Sequence, residues 1–307
     1  MQTLYITHPE CRLHEMGEWH PENPFRLDAI NDQIISSGLE GLLEEREAIP
    51  ARDEDILRVH SASHLDYLRR TSPGQGHVEL DPDTIMNPHT LSAALAAAGA
   101  GIGAVDAIMD EQAHTAFCSV RPPGHHARPQ QAMGFCFLNN LAITAAYTLE
   151  KYGLKRIAII DFDVHHGNGT EEMFDGDERV LMCSFFQQSL FPNVYALNPS
   201  SNMVNVGVPA HTGGQALRDI VDSRWMPKLE AFAPEFIFIS AGFDGHRDDM
   251  LGGLDMVESD YAWITSRLVE LADRTAKGRV VSFLEGGYDP SALGRSVAAH
   301  IKALAKL

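Results

Sequence analysis

The chain has 307 residues, of which 44% are hydrophobic and 21% charged, and its formal net charge is −18. This acidic balance disfavours nucleic-acid binding through a basic face and suits attraction of cationic substrates such as polyamines or lysine-rich peptides. The composition is that of a globular chain, one large α/β domain or two small ones, able to bury a core without disulfides.

In chain order, residues 1–10 carry no basic segment followed by an apolar core, so no secretory signal is expected. Cys11, Cys118, Cys136 and Cys183 form no C-x-x-C pair; reduced thiols in a cytoplasmic protein fit their spacing best. Strands are predicted over 3–7, 115–120, 156–160, 179–184, 236–240 and 280–284. Helices are predicted over 24–36, 53–69, 90–109, 139–152, 214–232, 259–275 and 291–305. Residues 91–109 have near-spanning length, but their Ala and Gly content, with Ser92 and Asp106, is too weakly apolar for a membrane. A buried small-residue helix is expected there, and no membrane partner. Strands alternating with helices predict the α/β class, with a mostly parallel sheet covered on both faces. No repeat, low-complexity tract or composition break divides the chain, so 1–307 reads as one domain.

The unusual polar clusters follow predicted strand ends. Strand 115–120 runs into Arg121-Pro122-Pro123-Gly124-His125-His126, and strand 156–160 into Asp161-Phe162-Asp163-Val164-His165-His166-Gly167-Asn168-Gly169-Thr170. Strand 236–240 runs into Ala241-Gly242-Phe243-Asp244, and strand 280–284 into Glu285-Gly286-Gly287-Tyr288. Ligands of open α/β sheets bind at the carboxyl ends of strands, so four segments point at one crevice.

If the chain keeps an extended pitch after the strand, Asp161, Asp163 and His165 share one side, and a carboxylate and an imidazole two residues apart reach one cation. Zinc accepts both donor types, and a catalytic site keeps three protein ligands and an open position. Asp244 is the expected third ligand, with Gly242 and Gly245 allowing a sharp turn. A manganese pair is the alternative, but no Asp-rich run follows Asp244 or His125, so one metal is preferred. Mixed Asp/His ligands also suit Fe(II).

His125 and His126 need partners if buried. One is expected to pair with Asp161 and the other with Asn168, and unequal environments assign unequal roles. Tyr288, after two glycines, is a plausible donor to a developing oxyanion.

These strings, with His20-Pro21-Glu22-Asn23-Pro24-Phe25-Arg26 and Gly134-Phe135-Cys136, resemble the zinc-dependent histone deacetylase and acetylpolyamine amidohydrolase family. Asn168 and Ser240-Ala241-Gly242-Phe243-Asp244 look like its class II branch. The resemblance implies a three-layer arginase–deacetylase fold and one Zn2+ held by Asp163, His165 and Asp244. It implies His126 as general base and then acid, His125 with Asp161 as electrostatic partner, and Tyr288 on the substrate carbonyl. Phe135 and Phe191 would wall an acyl-lysine tunnel beside Gly134, with Leu251 as gatekeeper and Arg26 behind the metal near an acetate exit. Structural K+ is also implied, at an inner site of Asp161, Asp163, His165, Ser184 and Phe185 and an outer one of Phe174, Asp177 and Val180.

Asp248-Asp249-Met250-Leu251 stands where class II members read Gly-Asp-Pro-Leu. A glutamate at the gatekeeper would suggest a polyamine enzyme, whereas Leu251 suits acyl-lysine. The loop Asp81-Pro82-Asp83-Thr84 could hold a substrate backbone. The expected function is zinc-dependent hydrolysis of acyl amides on a lysine peptide or protein, or on a related cationic amine. The alternatives are an acetylpolyamine amidohydrolase, a manganese ureohydrolase, and a binding module without turnover. An oligomer is compatible with all of them.

Overall fold

The computed structural model describes residues 2–193 and 199–307. Its strands are β1 (Thr3–Thr7), β2 (Leu43–Glu47), β3 (Val78–Asp81), β4 (Thr84–Met86), β5 (Thr115–Cys118), β6 (Ile157–Asp161), β7 (Val180–Gln187), β8 (Met203–Val208), β9 (Phe236–Ala241) and β10 (Val280–Leu284). Eight of them form one sheet in the order β2-β1-β5-β10-β9-β6-β7-β8, with every neighbouring pair parallel. β3 and β4 form a separate antiparallel hairpin.

The helices are α1 (Glu10–Leu13), α2 (Phe25–Ser36), α3 (Asp53–Ile56), α4 (Ala62–Thr71), α5 (Thr90–Met109), α6 (Asn140–Tyr152), α7 (Asn168–Phe174), α8 (Gly214–Ile220), α9 (Met226–Phe232), α10 (Glu258–Thr275) and α11 (Pro290–Leu304). α2, α10 and α11 pack together, as do α1, α5 and α6; α10 and α6 both reach β9. Helix layers on both faces explain why β6, β9 and β10 are buried at every position.

The six predicted strands form close to their expected bounds. The edges β2 and β8 were not predicted, because solvent on one side removes the continuous apolar run. β2 reads Leu-Glu-Glu-Arg-Glu, a charged edge that discourages further pairing. Residues 53–69 form two helices rather than one, since the hydroxyl of Ser61 accepts from the His64 amide (3.2 Å) and starts α4 afresh. Residues 214–232 contain a π turn, Val221–Trp225, between α8 and α9. By length and composition α5 is apolar enough to cross a membrane, contrary to the sequence expectation, yet it is mostly buried inside the protein. A Cβ on Gly99 would overlap the carbonyl of Ile49, and one on Gly101 would overlap Thr144 and Phe283. The small residues therefore serve close core packing.

Two buried histidines give the fold an acid-sensitive component. His300 lies between the hydroxyls of Thr265 (2.6 Å) and Ser282 (2.8 Å), and burial pushes its pKa down to about 3. His60 accepts the Asn139 amide at Nε2 (2.9 Å) and faces the Arg128 carbonyl with Nδ1 (3.0 Å); burial, then the charge of His64, push it to about 3. Unfolded histidine binds its proton near 6.5, so below that pH the unfolded chain holds more protons and stability falls with pH. The limiting slope is about 1.4 kcal/mol per pH unit per histidine. Melting temperature should drop from about pH 7 to about pH 5, and less steeply in His60→Gln. Equal slopes in the two proteins would remove His60 from this account.

Candidate active site

The four polar strand ends belong to β5, β10, β9 and β6, which are adjacent at the centre of the sheet. Beyond Asp161 the chain does not stay extended. Asp161 Oδ1 accepts the Asp163 amide (3.1 Å), and Asp163 Oδ1 accepts the His165 amide (2.8 Å), so two side-chain-closed turns curl the segment. This corrects the alternation expected from period two. Asp161 is turned away to His125, while Asp163 and His165 meet Asp244, which arrives from β9.

The ligand atoms of Asp163, His165 and Asp244 all lie within 4.8 Å of one another and could hold a metal ion. His165 Nδ1 is 3.1 Å from Asp163 Oδ1 and 3.0 Å from Asp244 Oδ2. A Cβ on Gly242 would overlap Asp163 Oδ2, and one on Gly286 would overlap Asp244 Oδ2, so both positions need glycine. Both carboxylates are buried, an arrangement that is costly without a cation. Burial and the charge of Asp163 push Asp244 up to about 7. Burial opposes charge on His165, but hydrogen bonds to Asp163 and Asp244 hold it up at about 10. The trio thus attracts positive charge, and its Asp2His donor set fits a divalent cation.

The loop after β5 carries the paired histidines. Glu285 Oε2 accepts the amides of Gly124 (2.7 Å) and His125 (3.2 Å), and its Oε1 accepts the Ser240 hydroxyl (3.1 Å). One buried carboxylate therefore ties together the ends of β5, β9 and β10. His125 Nδ1 pairs with Asp161 Oδ2 (3.0 Å) and His126 Nδ1 with Asn168 Oδ1 (2.8 Å). Burial opposes charge on His125, but Asp163, Asp161 and Glu285 raise its pKa well above the ordinary value. Burial and the charges of His125 and His165 lower that of His126 well below it. With the Asn168 oxygen as acceptor, His126 carries its proton on Nδ1 and keeps a lone pair on Nε2.

A pocket of about 230 Å³ opens onto these groups. At roughly 30 Å³ per water this is space for one extended side chain, not for a folded partner. Phe135 and Phe191 face it; the Phe191 ring lies 5.0 Å from His126, and the Phe135 ring 5.9 Å from Tyr288. Gly134, at φ +56, passes so close that a Cβ would stand 2.6 Å from the His126 ring. Leu251 lines the pocket as expected, and so do Leu190 and Asp83. Arg26 does not line it. Its guanidinium sits 4.9 Å from the Tyr288 ring centre, pairs with Glu22 (3.1 Å), and donates to the carbonyls of Gly287 (2.7 Å) and Glu285.

The histone deacetylase domain model matches residues 20–304. This chain belongs to the histone deacetylase family. It is 37% identical to a probable deacetylase of Archaeoglobus fulgidus, over 94% of this chain and 82% of that one. It is 36% identical to the histone deacetylase-like amidohydrolase of Pseudomonas aeruginosa, over 88% and 72%. The crystal structure of the HDA15 HD domain superposes with a TM-score of 0.93 at 32% identity, covering 99% of this chain and 88% of that one. The three layers are thus the arginase–deacetylase fold anticipated from the motifs, and membership places the chain among hydrolases of acetylated amides.

As a histone deacetylase family member, the chain invites comparison with the two potassium sets. Asp161 and Ser184 of the inner set are register partners across β6 and β7, and the Ser184 hydroxyl is hydrogen-bonded to Asn205 (2.8 Å). The Phe185 ring, also of that set, stacks on Trp225 at 5.2 Å. The outer set does not fit an ion as it stands. The carbonyls of Phe174 (2.8 Å), Asp177 (3.1 Å) and Val180 (3.1 Å) all accept from Nδ2 of Asn202, which fills the place of a cation. Sequence reasoning assigned no role to Glu285, Asn202 or Glu22. Glu285 carried one usable signal, a carboxylate at the end of an apolar central strand.

Proposed function

We propose that this chain is a zinc-dependent deacylase, with residues 1–307 forming one catalytic domain that cleaves acyl amides on lysine side chains or related amines. One observation carries the reading: the Asp163, His165 and Asp244 cluster, the lone pair of His126 and the phenol of Tyr288 all meet at one narrow pocket. Bound by the trio, zinc would polarise the amide carbonyl and acidify water. His126 takes the proton of the attacking water at Nε2 and returns it to the departing amine, a role worth about 10²–10⁴-fold. His125, paired with Asp161, stays cationic and opposes the build-up of negative charge. Tyr288 donates its hydroxyl to the carbonyl oxygen as charge develops there. Phe135 and Phe191 keep water from the acyl-bearing chain. Arg26, by its contacts, supports Tyr288 instead of binding substrate.

The inner set of Asp161, Asp163, His165, Ser184 and Phe185 is the proposed K+ site, and no ion is proposed for the outer set. The described cysteines are buried and unpaired, which supports the reduced, cytoplasmic setting expected from sequence. A manganese ureohydrolase is disfavoured because, among the described residues, a single candidate metal group is found.

The test is hydrolysis of acetyl-lysine peptide and acetylputrescine by purified protein with zinc quantified alongside. Turnover of neither by zinc-loaded protein would refute the reading. The apolar Leu251 favours acyl-lysine over polyamine. Leu251→Glu should shift the ratio of kcat/KM toward acetylputrescine by about tenfold or more, the effect of one charge-assisted contact to a distal ammonium. An unchanged ratio would remove Leu251 from substrate selection.

A further inference from the structure

We propose that Asp249 is a positioning residue for deacylation, holding the backbone of Tyr288 and of the gatekeeper Leu251 in one fixed relation. The inference rests on the role of Tyr288 stated above. Asp249 is 7% exposed and lies in the segment between β9 and α10. Its Oδ2 accepts the amide of Tyr288 (2.6 Å) and that of Asp289 (3.1 Å); its Oδ1 accepts the amide of Leu251 (2.9 Å). A single carboxylate is therefore bound by the oxyanion donor's own peptide group and by the residue at the tunnel wall. Three backbone amides converge on this one buried side chain, and each would be costly to leave unpaired, so the tether is firm.

The need for a tether follows from local sequence. Tyr288 comes after Gly286 and Gly287, and Gly287 adopts φ +123. Two glycines leave the phenol free to swing unless the peptide groups are held. They are held in two ways. Arg26 takes the carbonyls of Glu285 and Gly287, and Asp163 Oδ2 accepts the Gly286 amide (2.9 Å). Asp249 takes the next two amides in the chain. The hydrogen bonds of Arg26 and Asp163 end at Gly287; Arg26 meets the Tyr288 ring, but the Tyr288 amide itself is held by Asp249. Because Oδ1 of the same group fixes Leu251, a side chain that pushes Leu251 aside acts on the Tyr288 tether too.

The test compares wild type, Asp249→Ala, Tyr288→Phe and the double variant on an acetyl-lysine peptide, measuring kcat, KM, zinc content and melting temperature. Asp249→Ala should lower kcat by about 10–100-fold, the effect of displacing a catalytic group by around an ångström, with KM changed less than about threefold. In the Tyr288→Phe background the same change should lower kcat by less than about threefold, because the hydroxyl it positions is already gone. Full multiplication of the two losses overturns the proposal, since it marks a loss unrelated to the phenol. So does a kcat for Asp249→Ala within threefold of wild type. If Asp249→Ala does not fold, Asp249→Asn serves. It keeps one accepting oxygen and sets a donor against either Leu251 or the Tyr288 pair, so a smaller but still non-additive drop is expected. A wild-type kcat in that variant is equally fatal. Tyr288→Phe on its own separates the two ideas. If it retains full activity, the phenol's role and Asp249's both fall; if only the Asp249 variants retain activity, the tether alone falls.

Discussion

Tyr288→Phe is expected to lower kcat on an acetyl-lysine peptide by about 10²–10³-fold, the usual cost of one lost oxyanion donor. KM and zinc content should stay near wild type. The substitution is clean because phenylalanine keeps the ring, which meets Phe135 edge-on at 5.9 Å and lies over Arg26 at 4.9 Å. It removes one oxygen and leaves the Asp249 tether to the backbone amide in place. Burial raises the phenol pKa well above the ordinary value, Arg26 opposes this, and the charges of Asp244 and Asp163 add to it. Burial thus favours the neutral phenol, the form that donates a hydrogen bond. Wild-type turnover in the variant would refute the oxyanion role.

Most of this site was legible in the sequence because its chemistry is clustered in short strings. D-x-D-x-H-H after an apolar run offers two candidate ligands, and paired histidines that are buried must find partners. The pairing of His125 with Asp161 and of His126 with Asn168 follows once such groups must find partners. The expected route to the candidate metal cluster was wrong, although Asp163, His165 and Asp244 do come together. Asp163 and His165 converge through turns closed by carboxylates, and turn geometry depends on hydrogen bonds that a period-two argument ignores. α7 escaped notice because Asn168-Gly169-Thr170 reads as loop, whereas Asn168 both begins the helix and holds His126. Asp249 was illegible for a different reason. Its partners are backbone amides, which every residue other than proline carries, so no pattern of side chains points to it. The edge strands β2 and β8 were hidden by their half-solvated composition.

Loss of Asp244 or Asp163 is expected to abolish both zinc binding and turnover, and the two substitutions separate a missing ligand from a damaged fold. Asp244→Asn is the gentler. Its retained oxygen can still accept the Val164 amide, as Oδ1 does now at 3.0 Å, while the amide nitrogen that replaces Oδ2 has no lone pair for a cation. Asp163→Ala removes more, since that carboxylate also accepts the amides of His165 (2.8 Å) and Gly286 (2.9 Å). It should melt lower for reasons unrelated to metal, by about 1–3 kcal/mol for each donor left unpaired. Zinc separates the effects without any assay of activity. In wild type, saturating zinc should raise the melting temperature, because a ligand bound only by the folded state stabilises it by about 2.7 kcal/mol at 100 times its Kd. Neither variant should show that rise. The sign of the pH dependence is also set. With His165 held protonated up to about 10 by its two carboxylates, zinc must displace that proton, so apparent affinity should climb with pH and binding should release acid. A zinc-induced rise in melting temperature in Asp244→Asn equal to that of wild type, with full zinc occupancy, would show that the ion sits elsewhere, and the assignment of the whole pocket would fall with it.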